Sequence, residues 1–155
     1  MPAMFDLADK KKLFPRQFTY EEMTVSQTAA RRGINNDPEH AKTVLNLLYT
    51  AEMMVHVRKL LGDKPIIVSS GYRSPDLNKV VGGSDTSAHT QGWAVDFTCP
   101  GFGNPLKVAK AIAESDIEFD QLIHEYEKWV HISFDPRNRK QLLTINKSGT
   151  KSGLR

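Results

Sequence analysis

The sequence predicts an α+β domain: a mainly antiparallel sheet with helices packed on one side. Three observations predict it. Helical spacing dominates up to residue 61, short β-rich runs cluster after residue 65, and two of those runs lie close enough to form a hairpin. With 155 residues the chain has room for one domain with a real core and too little for two. The expected division is an N-terminal arm over 1–18, the domain over 19–146 and a frayed tail, rich in Lys, Ser and Gly, over 147–155.

The elements follow in order. Thr19, with Glu22 three residues on, reads as a capping box opening a short helix, and Gly33 closes that region. Asp37-Pro38 reads as N-cap and first turn of the longest helix, over 38–61. Ala41, Val44, Leu45, Leu48, Ala51, Met54, Val55 and Leu61 recur there at helical spacing, and Gly62 is its natural stop. Residues 65–69 read as a buried strand. Residues 71–92 are rich in Gly, Pro and small polar residues, so they read as a long loop with one helical turn near 77–80. A loop of that length inside a compact domain is usually functional. Residues 93–98 read as the next strand, and Asn104-Pro105 caps a helix running to Glu114. Residues 121–126 and 129–134 form the hairpin, and 142–145 a last edge strand.

Composition excludes several classes. Charged residues make up 25%, apolar residues 39%, and the net charge is +3, which is ordinary for a soluble globular chain. The Lys10-Lys11-Lys12 run stands alone without interleaved aromatics, so no nucleic-acid partner is expected. Cys99 is the one cysteine, so no intrachain disulfide forms. No apolar run reaches the length of a membrane span, and residues 1–13 lack the continuous apolar core of a secretory signal. A monomer made in the cytoplasm is the expectation.

The chemistry concentrates at three residues. His89 ends the long loop, Asp96 lies within the following strand, and His131 lies on the second strand of the hairpin. Two imidazoles and one carboxylate suit zinc held by three protein ligands with a fourth position open, a site that activates water for hydrolysis. Asp96 shares a strand face with Ala94 and Thr98, opposite Val95 and Phe97. A carboxylate among such neighbours is costly to bury unless paired or metal-bound. The bland alternatives are that Asp96 caps a turn or pairs with an arginine, and that His131 is a satisfied core histidine.

The runs SGYRSPDLNKVVGGSDTSAHTQGWAVDF and FDQLIHEYEKWVHISF closely resemble the zinc D-alanyl-D-alanine carboxypeptidase family of metallopeptidases, over roughly residues 17–146. Many members are phage or prophage cell-wall hydrolases. The resemblance implies a Hedgehog/DD-peptidase-like fold, with His89, Asp96 and His131 as ligands of Zn2+. It implies that Arg73 meets a substrate carboxylate or developing oxyanion, a task that suits its fixed charge and planar donors. Ser87, two residues before a ligand, is a further expected substrate contact. The general base is open. Relatives carry an acid three residues before the last histidine, where this chain has Lys128, or a second histidine two before it, where this chain has Trp129. The nearest relatives point instead to Glu125, with His124 and Glu127 behind it. A three-residue connection at 126–128 puts Glu125 on the His131 face, whereas a two-residue turn puts His124 there.

The implied activity is a peptidase on bacterial peptidoglycan peptides, either a D-Ala-D-Ala carboxypeptidase or an endopeptidase acting as an endolysin. Such an enzyme would act on the cell wall after release by a separate factor. The other class in view is a non-catalytic zinc-containing module, wall-binding or structural in a phage, which the departure at Lys128 favours.

Overall fold

A computed structural model of the chain describes residues 6–155. Helices α1 (Leu7–Lys11), α2 (Tyr20–Met23), α3 (Gln27–Arg32) and α4 (Ala41–Leu60) precede the first strand, β1 (Ile67–Ser70). Then come α5 (Pro75–Val80), a 3-10 turn (Ala88–Gln91), β2 (Ala94–Thr98) and α6 (Pro105–Ala113). Strands β3 (Gln121–Glu125), β4 (Trp129–Ser133), β5 (Gln141–Asn146) and β6 (Gly149–Ser152) complete the chain. The six strands form one sheet in the order β1-β2-β4-β3-β5-β6. Neighbours are antiparallel except β3 and β5, so the predicted α+β class is the one that forms.

Strand alternation gives this sheet two different faces. Val95 and Phe97 of β2, Leu122 of β3, and Val130 and Ile132 of β4 are completely buried. They pack in one core with Leu47, Met54 and Val57 of α4 and Val108 and Ile112 of α6. Asp96 and His131, which lie between them in sequence, and Glu125, three residues after Leu122, project from the opposite face. No helix among the described residues is long and apolar enough to cross a membrane.

Helix boundaries follow local hydrogen bonding. Thr19 accepts from the Glu22 amide, as the capping box predicts, and Gly33 ends α3 in the left-handed region. The start of α4 differs from the expected Asp37-Pro38. The Tyr20 hydroxyl donates to Asp37 Oδ1 at 2.5 Å. With that carboxylate engaged elsewhere, the helix begins at Ala41, and His40 at the cap position makes no side-chain bond. Gly62, at φ +76°, stops it as predicted. Asn104 caps α6 as expected by accepting from the Lys107 amide.

Other segments also depart from expectation. β1 is a sheet edge, not a buried strand, and Ile67 is 57% exposed. The loop over 71–92 contains both α5, capped by Ser74, and the 3-10 turn. β5 is not an edge, because 147–155 does not fray: Gly149 at φ +109° permits a tight return and β6 pairs with β5. The Gly153 amide then donates to the Leu142 carbonyl, and Leu154 packs on the core. The expected arm over 1–18 is likewise partly built in. Its residues 1–5 lie outside the described residues, but Asp6 caps α1, Phe14 meets Tyr20 edge to face, and Phe18 is completely buried.

Candidate metal centre

The register of the central strands sets the site. Asp96 of β2 pairs directly with His131 of β4. Directly paired residues share a face at close range. On the far side of β4, Ile123 pairs with His131 and Glu125 with Trp129, so the β3–β4 connection is the three-residue one, 126–128. That parity puts Glu125 on the His131 face. Its Oε1 lies 3.9 Å from His131 Nδ1. Tyr126 and Glu127 take positive φ values of 53° and 58° to close the turn. The two other base candidates fall elsewhere. His124 points to the opposite face, its Nδ1 3.0 Å from the Arg155 carbonyl, and Glu127 is exposed in the turn.

His89 arrives from the 3-10 turn. The Ser87 hydroxyl accepts from the His89 amide and caps that turn, so its observed contact is with the chain and not with an open cleft. Gly92 ends the turn at φ +85°, with Thr43 and Leu47 of α4 too close to admit a Cβ. The His89 ring is aimed by its own hydrogen bond: Nδ1 lies 2.7 Å from the Gly71 carbonyl. A carbonyl only accepts, so the proton sits on Nδ1 and Nε2 presents a bare lone pair. Gly71 can stand there only as glycine, because a Cβ would lie 2.2 Å from the Met23 carbonyl oxygen.

Three donor atoms therefore converge. His89 Nε2 is 3.3 Å from Asp96 Oδ1, and His131 Nδ1 is 2.9 Å from the same oxygen. All three residues are buried, and their donor atoms lie within 4.8 Å of one another. Two ligands of a tetrahedral zinc, each about 2.1 Å from the metal, sit about 3.4 Å apart, so the set fits a divalent cation. His89 Nε2 supplies a second test. It is buried with no hydrogen-bond partner among the described residues. A dry, unpaired lone pair beside a carboxylate is costly unless a cation lies between them.

The electrostatics of the cluster point the same way. Burial opposes charge on Asp96, but the charge of the neighbouring imidazoles and the hydrogen bond from His131 outweigh it and hold its carboxyl well below the usual range. Burial lowers the His89 pKa, against the pull of Asp96. For His131, burial is more than offset by the Asp96 hydrogen bond and by the charges of Asp96 and Glu125, so its pKa rises. Burial, then the nearby Asp96 charge, raises that of Glu125. A carboxylate with raised proton affinity beside a metal site suits a proton carrier.

Arg73 stands at the edge of this cluster. Its Nη2 is 3.5 Å from Asp96 Oδ2, Nε donates to Ser70 Oγ at 3.2 Å, and Nη1 donates to Asn78 Oδ1 at 3.3 Å. Asn78 in turn donates to the Ser84 carbonyl. Asn36 donates to the carbonyls of Thr24 and Tyr72 and accepts from the Ser74 amide, tying the Arg73 segment to α2. Sequence reasoning missed Ser70, Asn78 and Asn36. All are small polar residues in turn-rich segments, where turn formation is the default reading. Only the unusual burial of Asn78, 2% exposed on α5, singles one out, and that shows only in the fold.

A family model described as Peptidase M15 matches residues 16–133. Among curated proteins, the chain is 35% identical over 82 residues to the zinc D-Ala-D-Ala carboxypeptidase of Streptomyces albus G. The matched stretch is 53% of this chain and 31% of that protein, so this chain spans less than a third of the relative it matches.

Proposed function

The chain belongs to the peptidase M15 family, and from that membership we propose that it is a zinc-dependent peptidase hydrolysing peptide bonds of bacterial peptidoglycan. The observation that carries the metal assignment is the buried Nε2 of His89, 3.3 Å from Asp96 Oδ1 and without a hydrogen-bond partner among the described residues. His89 Nε2, His131 Nδ1 and a carboxylate oxygen of Asp96 would hold the ion. Zinc, when bound, supplies Lewis acidity that polarises a carbonyl and makes water a better acid.

The remaining steps belong to the chain. Glu125 Oε1 accepts a proton from the attacking water and delivers it to the leaving amine, its raised pKa favouring the shuttle. Arg73 binds the scissile carbonyl oxygen or a substrate carboxylate, its fork held by Ser70 and Asn78. Gly71 fixes the tautomer of His89. Ser87 holds the turn that delivers His89 and lies close enough in sequence to contribute a substrate contact. The non-catalytic alternative drew its support from Lys128; Glu125 on the His131 face supplies the acid that position lacks.

In its finer form the reading is a phage endolysin that reaches the wall with a separate permeabilising protein. The relative's name points to removal of a terminal D-alanine; cleavage within the stem or cross-bridge would use the same centre. Purified muropeptides, digested with zinc-loaded protein and analysed by mass, separate these outcomes. Glu125→Gln is expected to cut turnover by about 10²- to 10⁴-fold, with bound zinc unchanged by elemental analysis. Undiminished hydrolysis by fully zinc-depleted protein would overturn the mechanism.

A further inference from the structure

Hollows of about 430 to 650 Å3 occur at several places among the described residues. One, about 650 Å3, lies at the β3–β4 and β5–β6 turns, and none of His89, Asp96, His131, Arg73 or Glu125 lines it. Another, about 490 Å3, runs between β1 and the start of α3, and Arg73 is among its lining residues. Arg73 Nη2 also lies 3.5 Å from Asp96 Oδ2, so this one lining residue borders the candidate centre.

Three properties define what the groove can hold. First, β1 is an edge: it pairs with β2 alone, and its outer backbone groups have no backbone partner among the described residues. Natural edges are usually blunted by charge, proline or cover. The sequence Ile67-Val68-Ser69-Ser70 has none of the first two, and Ile67 is 57% exposed. Second, the groove's rims are apolar and open, with Val25 39% and Val81 46% exposed. Third, among the described residues its charged lining is Arg31 and Arg73, with no acid. Hydroxyls of Ser26, Thr28 and Ser70 lie among them.

An open strand edge, apolar rims and the guanidinium of Arg31, with no acid in the lining, together describe a receptor for an extended peptide bearing carboxylates. We propose that the acidic peptide substrate lies along β1 as an added strand, with Arg31 of α3 pairing one of its carboxylates remote from the cleaved bond. This rests on the peptidase reading above, and deepens it by giving the substrate a direction: its scissile end at Arg73, its other end toward Arg31. The occupant is the substrate and not a second protein, because Arg73 both lines the groove and touches Asp96 of the metal centre.

The test uses Glu125→Gln protein, isotopically labelled, titrated with a synthetic peptidoglycan stem peptide bearing free carboxylates and with its fully amidated form. The acidic peptide is expected to shift the amide resonances of residues 67–70. Replacing the exposed Arg31 by Glu in the same background should weaken its binding about 10-fold or more, while the amidated peptide binds both proteins alike. In otherwise wild-type protein the same substitution raises KM with little change in kcat, the mark of lost uniform binding. Absent shifts at 67–70, or equal affinity of the acidic peptide for both proteins, overturns the groove assignment even if wall peptides are hydrolysed. Arg31-dependent shifts in a chain that hydrolyses no wall peptide leave the groove standing and remove the peptidase reading.

Discussion

Strands β2, β4 and β3 are read twice by the molecule, once on each face. Toward α4 and α6 they present Phe97, Val130, Ile132 and Leu122, all without solvent exposure. From the opposite face they present Asp96 and His131, immediate neighbours along the chain of Phe97, Val130 and Ile132, together with Glu125 of β3. The apolar face gains free energy from every atom it hides from water. The polar face is costly on its own: with His89 from the adjoining turn it buries an aspartate and two imidazoles, and leaves His89 Nε2 without a hydrogen-bond partner among the described residues. Period-two alternation thus lets one strand supply stability and chemistry from adjacent residues. Substitutions one residue apart should therefore have effects of different kinds.

The largest expected effect is on the polar face. His131→Ala should remove bound zinc, measured by elemental analysis, and lower muropeptide hydrolysis by at least about 10³-fold, while chemical unfolding shifts by only about 1–2 kcal/mol. Its sequence neighbour behaves in the opposite sense. Ile132→Ala opens a cavity against α4 and α6 and should cost about 2–5 kcal/mol of unfolding free energy, with zinc content intact in the folded fraction. The comparison breaks if His131→Ala unfolds the chain as severely as Ile132→Ala, because the polar face would then be part of the stabilising core.

How far the sequence shows this division can be argued residue by residue. Alternation along 94–98 placed Asp96 opposite Val95 and Phe97, and that holds because a strand has only two faces. The motif runs put His89, Asp96 and His131 together, and the fold brings their donor atoms within 4.8 Å. Glu125 depended on a parity the sequence left open; the positive φ values at Tyr126 and Glu127 close it as a three-residue turn. What stayed illegible were contacts set by tertiary packing. Asp37 looked like a helix cap because its side chain suits one, but the Tyr20 hydroxyl, far off in sequence, takes its carboxylate. The tail looked frayed because Lys, Ser and Gly are weak strand formers, yet an available edge on β5 recruits β6. Local propensity does not foresee an unpaired partner elsewhere in the chain.

The smallest predicted effect contrasts two buried aspartates. Asp96 keeps company with imidazoles and fits a metal; Asp120, 1% exposed just before β3, is satisfied by the chain itself. Arg139 donates to it through Nε and Nη2, both at 2.8 Å, and through its backbone amide at 3.0 Å. These bonds, then the charges of Arg139 and Arg137, hold the Asp120 carboxyl below its ordinary value. A group whose folded pKa is depressed stabilises the fold above its unfolded pKa, about 3.9, and loses that contribution as pH falls through the folded value. Asp120→Asn should therefore cost about 2 kcal/mol at pH 7, and the gap between wild type and variant should narrow steadily below about pH 4. Denaturant titrations of both proteins at pH 7 and in acid measure that gap directly. A gap of constant size across the range would mean that Asp120 acts through packing and not through its charge. The clamp joins the start of β3 to the segment leading into β5, so it secures the one parallel pairing of the sheet. It leaves the Glu125 end of β3 to the chemistry.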